Sequence, residues 1–445
     1  MRKQKENFCR LVIQSKFLMG ACVFLFTSVV QAVTLEDAIE SALKVDPSLR
    51  ASNFNLQATR ENIVIARSRL LPQVSLQGSS NQLTQTTTQE LATGGNSSRS
   101  FTGPSVNHQL VIRQALLRPK ELAALRYAEL QSKYIELKFK SDVKDLQNRV
   151  INAWIDVLGA QQSAQAYEKL LDLMRKASTQ ERARYKEGES TKDAAMEATA
   201  QYENSIAIHN QAVETLKAKQ RAFENLTKIP AAALLGKKLD IGSSPVFSEL
   251  DKDIFWLKFQ DASLELQMAK LQEELQLERV KMAEADNKPT LDLLAAINFA
   301  QNDATSTQGY QYRNKQVGLQ YTWPLFAGGG SAAAERQANF SYIASQSESD
   351  ALILKLANEF ENAWAQVAIS PARLKALISL YESVIEQYKA AERGGDLGVK
   401  SISEISAVES TRVRRYVDLV NNLQDYYRNK LKVDRSGLLK ILNPK

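Results

Sequence analysis

Between Val143 and Met174 the chain reads VKDLQNRVINAWIDVLGAQQSAQAYEKLLDLM, the centre of an unbroken run from Lys120 to Tyr185. Val143, Leu146, Val150, Ala153, Val157, Ala160, Ala164, Tyr167, Leu171 and Met174 step along it by threes and fours. All are apolar, as a helical seam with a seven-residue repeat requires. No proline lies between Pro119 and Pro230, so nothing forces a stop before Gly188. At ~1.5 Å per residue the run makes a helix of roughly 100 Å, far beyond the ~10–14 residues of an ordinary globular helix.

The run occurs twice. An offset of 210 positions turns the seam into Ile353, Leu356, Phe360, Ala363, Val367, Ser370, Leu374, Leu377, Tyr381 and Val384, in which Ser370 alone is polar. Asn152-Ala153-Trp154 recurs as Asn362-Ala363-Trp364, and Gly188 as Gly398. The flanks repeat as well: Asp46-x-Ser48-Leu49 is echoed by Asp261-x-Ser263-Leu264, and Leu116-Leu117 by Leu325-Phe326. The unit is a tandem duplication of about 210 residues, longer than a solenoid repeat of about 20–50.

The 445 residues begin with a basic stretch (Arg2, Lys3, Lys5, Arg10, Lys16), an apolar run Phe17–Val30, and Val30-Gln31-Ala32, which fits a small-residue cleavage site. The run falls short of the ~20 residues of a membrane-spanning helix, so residues 1–32 read as a secretory signal peptide. Its removal takes away both cysteines, Cys9 and Cys22, and lowers the formal charge from +7 to about +3. The mature chain then has neither thiol nor disulfide, and its charge gives no support to nucleic-acid binding.

Residues 33–235 form the first copy. Thr34 is a helix N-cap with Asp37 at the third position, Asp46-Pro47 is a break, and a second helix reaches Leu71-Pro72. The period then changes to two: Val74 and Leu76, and later Val106, His108, Leu110 and Ile112, alternate with polar neighbours. Strands are expected at about 73–83 and 104–114, with the polar tract Ser79–Gly103 as a long exposed loop between them. A long helix 120–187 and a return helix 191–228 follow. Residues 236–247, with Gly236, Gly242 and Pro245, read as a linker. In the second copy, 248–445, Leu291, Leu293, Ala295, Ile297 and Phe299 alternate, as do Val317, Leu319, Tyr321 and Trp323. Strands are expected at about 290–301 and 310–323, a long helix at 331–393 and a return helix at 401–440. Gly188 and Gly398 suit left-handed helix C-caps, and Pro371 should kink the second long helix.

Each alternating segment reaches the ~9–11 residues of a tilted membrane-spanning strand, with one face for lipid and one for water. Tyr310, Tyr312, Tyr321 and Trp323 near the segment ends suit interfacial aromatics. Four strands are too few for a barrel, whose smallest spanning form has about eight, and open edges in lipid are costly. Several chains must therefore combine. Two would supply eight strands and three would supply twelve.

The duplicated helix–strand–strand–long-helix–helix unit, Leu70-Leu71-Pro72-Gln73-Val74-Ser75-Leu76, and Val317-Gly318-Leu319-Gln320-Tyr321-Thr322-Trp323-Pro324-Leu325-Phe326-Ala327-Gly328-Gly329 together resemble the TolC family of outer-membrane export channels. The resemblance covers essentially the whole mature chain. It implies a mostly α fold with a transmembrane β portion: a homotrimer whose twelve strands form one barrel in outer-membrane lipid, continuous with a periplasmic α-helical barrel. It also implies partners, a periplasmic membrane-fusion adaptor and an inner-membrane ABC or proton-driven transporter. In the family the second helical turn reads Gly-Thr-Arg-Thr-Ile-Val-Asp-Val-Leu-Asp. Here Gly398-Val399-Lys400-Ser401-Ile402-Ser403-Glu404-Ile405-Ser406-Ala407 takes its place. Lys400 matches the arginine that helps latch the closed tip, Glu404 matches the first aspartate of the entrance, and Ala407 replaces the second. Adaptor contact is expected at the two turns, around Gly188, Ser190, Thr191, Gly398 and Ser401. The contrasting reading, a periplasmic coiled-coil tether without a pore, accounts for the long helices but not for the alternating segments.

Nothing in the sequence points to an enzyme or a cofactor. His108 and His209 lack any ligand spacing. Gly328-Gly329-Gly330-Ser331 lacks the phosphate-loop pattern and reads as a strand-to-helix turn.

Overall fold

The computed structural model describes residues 33–91, 94–239, 252–302 and 310–433. The expected signal peptide, most of the expected linker and the end of the last helix lie outside the described residues. In chain order the elements are α1 (Leu35–Val45), α2 (Pro47–Ser68), β1 (Gln73–Leu91), β2 (Gly95–Leu117), α3 (Pro119–Lys186), α4 (Lys192–Thr227), a 3-10 turn (Ala231–Leu234), α5 (Lys252–Ala262), α6 (Leu264–Ala285), β3 (Thr290–Asn302), β4 (Tyr310–Thr322), α7 (Gly330–Asp396) and α8 (Ile402–Val433).

The two long helices follow from the repeated seam. Leu146, Val150, Val157, Ala164 and Met174 of α3 are buried, and so are Leu356, Phe360, Ala363, Val367, Leu374 and Val384 of α7. The helices form two tiers. Beside the sheet the packing order is α2–α3–α6–α7, and farther away it is α4–α3–α8–α7. Between the tiers the copies share one apolar core. Trp154 meets Phe223 edge-on at 6.0 Å, and Phe255, Trp256, Phe259, Phe360 and Trp364 form an aromatic cluster. Offset ring pairs of this kind add about 0.5–1.5 kcal/mol beyond their buried area.

The helix starts are capped by their sequence. Thr34 accepts from the Asp37 amide at 3.1 Å while the Asp37 carboxylate accepts from the Thr34 amide at 2.8 Å, a reciprocal capping box. Asp46 caps α2, and Pro47 fills its first position, where a missing N–H costs nothing. In the second copy Ala262 stands in place of Pro47, α5 extends to it, and the cap passes to Ser263.

The strands form one antiparallel sheet in the order β1-β2-β3-β4. The tract Ser79–Gly103, expected as a loop, is instead mostly strand. β1 continues to Leu91 and β2 starts at Gly95. The reason is a ladder of hydroxyl pairs, Thr84 with Thr102 at 2.9 Å, Thr86 with Ser100 at 3.1 Å and Thr88 with Ser98 at 3.3 Å. β-branched threonines also favour the extended backbone.

One bound of α7 needs correction. The helix does not stop at Arg393 but includes Gly394 and Gly395, and an added Cβ on Gly395 would lie 2.5 Å from Ile405 of α8. Glycine here serves close packing of α7 on α8. The helix carries Pro371 within its length, running from Gly330 to Asp396. Of the expected linker, Leu239 is buried and its carbonyl accepts a 3.4 Å hydrogen bond from Gln162.

Candidate functional site: a two-faced sheet and two helical tips

The register assigns every strand residue to a face, since directly paired residues share one. One face carries the rows Val74–Ile112–Ala295–Val317, Gln114–Leu293–Leu319, Leu117–Leu291–Tyr321 and Leu76–Leu110–Ile297–Lys315. It is apolar and open: Leu76, Val317 and Leu319 are among the most exposed large side chains. The other face carries Gln73–Arg113–Leu294–Gly318, Ser75–Val111–Ala296–Gln316 and Gln77–Gln109–Asn298–Asn314. On this face the central strand β3 is covered, with Ala296 buried and Asn298 Oδ1 enclosed without a partner, while the named residues of β1 and β4 are exposed. One apolar face and one mostly polar face are the pattern of a barrel wall with lipid outside and water within.

This register divides the expected interfacial aromatics. Tyr321 lies on the apolar face, and Trp323 follows one residue after the strand, its Nε1 donating to the Asn287 carbonyl at 3.1 Å. Tyr312 pairs with Ala300 on the polar face, so it does not belong to a lipid-facing belt. Tyr310 pairs through its backbone with Asn302, and its side chain lies outside the described residues. A strand's period of two separates Tyr312 from Tyr321, which are an odd number of residues apart.

Sheet and helices are joined by an ion pair. Asp292, nearly fully buried on β3, accepts from Arg118 Nε at 2.9 Å and Nη2 at 2.5 Å, and Arg113 lies 3.9 Å away. Arg118 directly precedes α3, so this fork ties the first copy's long helix to the second copy's strand. Two-pronged arginine–carboxylate pairing fixes orientation as well as distance.

At the far ends of the helices the two turns share one backbone solution. In the first, Glu187, Gly188 and Glu189 amides donate to Ala183, Tyr185 and Arg184 carbonyls; in the second, Leu397, Gly398 and Val399 amides donate to Arg393, Gly395 and Gly394. Gly188 (φ +79°) and Gly398 (φ +71°) hold the left-handed positions. The side chains differ. The first tip displays Glu187 and Glu189, whereas the second displays Leu397 and Val399, each about four-fifths exposed. Sequence reasoning passed over these four residues, although the offset of 210 aligns Glu187 with Leu397 and Glu189 with Val399.

The expected contact hydroxyls are already engaged within the chain. Ser190 donates to the buried Glu181 carboxylate, and Thr191 caps α4 by accepting from the Ala194 amide at 3.2 Å. Ser401 and Glu404 form a capping box, with the Ser401 amide donating to Glu404 Oε2 at 2.8 Å and the Glu404 amide donating to Ser401 Oγ at 3.3 Å. The Ser401 amide and hydroxyl, helped by Lys400, hold the exposed Glu404 carboxyl below its ordinary value. Lys400 lays its aliphatic stem beside Gly394, and its ammonium makes no ion pair among the described residues. Among those residues no group of His, Cys, Asp or Glu is placed to hold a metal ion, and no helix is long and apolar enough to cross a membrane.

The chain matches the family model described as outer membrane efflux protein over residues 38–230 and 258–436. It is 26% identical to the proteases secretion protein PrtF of Dickeya chrysanthemi, with 82% of this chain and 80% of that protein aligned. It is 23% identical to the outer membrane protein TolC of Vibrio cholerae, over 92% and 90%. Among solved structures, the Campylobacter jejuni CmeC outer membrane channel superposes with a TM-score of 0.75 at 15% identity, covering 90% of this chain and 85% of that one. The Vibrio cholerae outer membrane protein VceC gives 0.73 at 16%, covering 90% and 94%. With the family model matched over both copies, the chain belongs to the outer membrane efflux protein family, as a TolC-like channel protein of the outer membrane.

Proposed function

We propose that three copies of this chain close into one conduit, a twelve-stranded barrel continuous with a tunnel of helices. In this reading it is the passive exit duct of a tripartite efflux or type I secretion system. The observation that carries it is that every layer of the chain is open at the same two ends. β1 and β4 are unpaired sheet edges, α2 and α7 end the helical tier beside the sheet, and α4 and α7 end the tier farther from it. The open helical edges are apolar where they need partners: Phe54, Val64 and Ile65 on α2, and Phe340, Ile343 and Leu354 on α7, are all more than half exposed. Joining the last element of one chain to the first of the next covers these faces and removes the strand edges that lipid does not tolerate. A head-to-tail contact repeated by rotation makes a closed ring. Of the two closures that four strands per chain allow, the TolC-family resemblance favours three chains.

The tips are the contact with a periplasmic adaptor, through which an inner-membrane ABC or proton-driven transporter is engaged. Exposed Leu397 and Val399 support the second tip as the apolar anchor. Ser190, Thr191 and Ser401 act there indirectly, by fixing the turns that present the anchor. Three copies of Glu404 place an anionic ring at the entrance that favours cations, and Lys400 reaches across to a neighbouring chain as the latch. Purified protein in planar bilayers is expected to give discrete conductance steps. Folded oligomers that conduct at no voltage or pH would contradict the duct.

A further inference from the structure

The outward, apolar face of the sheet carries two cations. Counting inward-to-outward from Thr322, Lys315 and Arg313 are seven and nine residues along β4. At ~3.4 Å per residue and a tilt of ~40°, they stand ~18 Å and ~23 Å above the strand's inner end. An apolar band is ~25 Å tall, so Arg313 lies at its outer boundary and Lys315 within side-chain reach of it. Their rows are otherwise apolar or uncharged. Lys315 continues Leu76–Leu110–Ile297, and Arg313 continues Gly78–His108–Phe299, where His108 and Phe299 rings stack at 6.3 Å. Both cations are exposed.

Among the described strand residues, the carboxylate sharing this face is Glu90, twelve residues beyond Gly78 on β1 and on the order of 40 Å away along the strand. The other described strand carboxylate, Asp292, is on the inner face with Arg113 and Arg118. A charge on the lipid side is costly at the midplane and nearly free at the interface, which is where these two stand.

We propose that Arg313 and Lys315 form a lipid-phosphate site on the outer rim of the barrel, holding the phosphorylated headgroup of an outer-leaflet lipid whose acyl chains lie on the Leu76–Leu110–Ile297 row. Two observations select this occupant. The site is continuous with the face that meets acyl chains, and it is cationic without a described acidic neighbour. A guanidinium fork beside an ammonium suits a phosphate group better than it suits a neutral headgroup. The proposal rests on the exit-duct reading, because the face meets lipid only in the closed barrel.

Native mass spectrometry of the full-length protein in detergent tests both and keeps them apart, since each spectrum reports oligomer mass and retained lipid together. The probes are bisphosphorylated lipid A, its dephosphorylated form and phosphatidylcholine. Wild type is expected to retain lipid A roughly tenfold more than either control, and Arg313→Gln/Lys315→Gln to lose most of that preference. Arg313→Lys/Lys315→Arg should restore it, and Lys138→Gln on α3 should leave it intact. Millimolar inorganic phosphate should not displace the lipid; displacement would mean that the site takes free phosphate instead. Oligomers of unchanged mass that retain lipid A equally with and without the two cations would overturn the proposal, whereas a monomer mass in every spectrum would overturn the exit duct.

Discussion

The two helical tips share a backbone and differ in surface. Both turns bond the same three amides to the same relative carbonyls around a left-handed glycine. Yet Glu187 and Glu189 flank one glycine and Leu397 and Val399 the other. One turn deeper, buried Glu181 in the first copy corresponds to fully buried Ala391 in the second. Duplication preserved what the turn geometry demands, because a residue other than glycine at φ near +75° is strained by about 1–2 kcal/mol. Positions facing away from the turn carry no such constraint and have separated into an anionic tip and an apolar one.

Exchanging the tips should therefore have the largest effect, and an unequal one. Leu397→Glu with Val399→Glu is expected to reduce export at least ~30-fold, the loss of a buried apolar anchor worth about 2 kcal/mol. Oligomer and conductance should remain. Glu187→Leu with Glu189→Val should change export less than threefold. Equal losses from both exchanges, measured as cargo release from intact cells, would mean that the tips are equivalent and that the comparison has no functional content.

The buried pair sharpens the same contrast. Glu181 is held by the Ser190 hydroxyl and by Arg184, 3.5 Å from its second oxygen. Ala391 has no such partners, so Ala391→Glu should destabilise by about 3–5 kcal/mol, as an uncompensated buried charge does. Glu181→Ala should cost only about 1 kcal/mol, because Ser190 and Arg184 can turn to water. Thermal unfolding of the two variants measures the difference.

The copies also differ at their helix breaks. Asp46 caps α2 through the Leu49 amide at 2.9 Å, while Ser263 has taken over from Asp261. Asp46→Ala should cost about 1–2 kcal/mol, and Asp261→Ala less than about 0.5 kcal/mol. Burial pushes the Asp46 carboxyl up, but the Ser48 hydroxyl, the Leu49 amide and Arg149 outweigh it and hold the group below the usual carboxylate value. A depressed carboxyl stabilises fully above its unfolded pKa of ~3.9 and loses that contribution as pH falls through the lower folded value. The gap between wild type and Asp46→Asn should accordingly close in strong acid.

The smallest expected effect concerns Glu404, whose two roles one substitution separates. Glu404→Gln keeps a capping-box side chain and removes the charge, so cation preference in bilayers should fall while thermal stability stays. Glu404→Ala should lower both. Selectivity unchanged by either substitution would leave Glu404 as a helix cap alone.

Much of this architecture was legible because it is periodic. A seam of threes and fours, repeated at a constant offset, specifies two long helices, and a period of two specifies four strands. The Thr84–Thr88 tract was misread as loop because its residues are polar on both faces, so no contrast marks a strand. What holds it is hydroxyl pairing with Ser98–Thr102, a contact between segments. Gly394 and Gly395 looked like a turn for a similar reason: their role is set by Ile405 and Lys400 across the helix pair. Tyr312 was grouped with Tyr321 by proximity, and register alone separates them. The hydroxyls at the tips are legible as turn residues, but exposure of Leu397 and Val399 is set by how each turn folds and is not written in the local sequence.

An exit duct requires identical chains to close edge to edge into a single wall. Native mass spectrometry of the detergent-extracted full-length protein tests this most directly. A dominant species at three times the chain mass, which neither dilution nor salt converts to monomer, is predicted. A stable monomer that stays in solution once detergent is removed would contradict it.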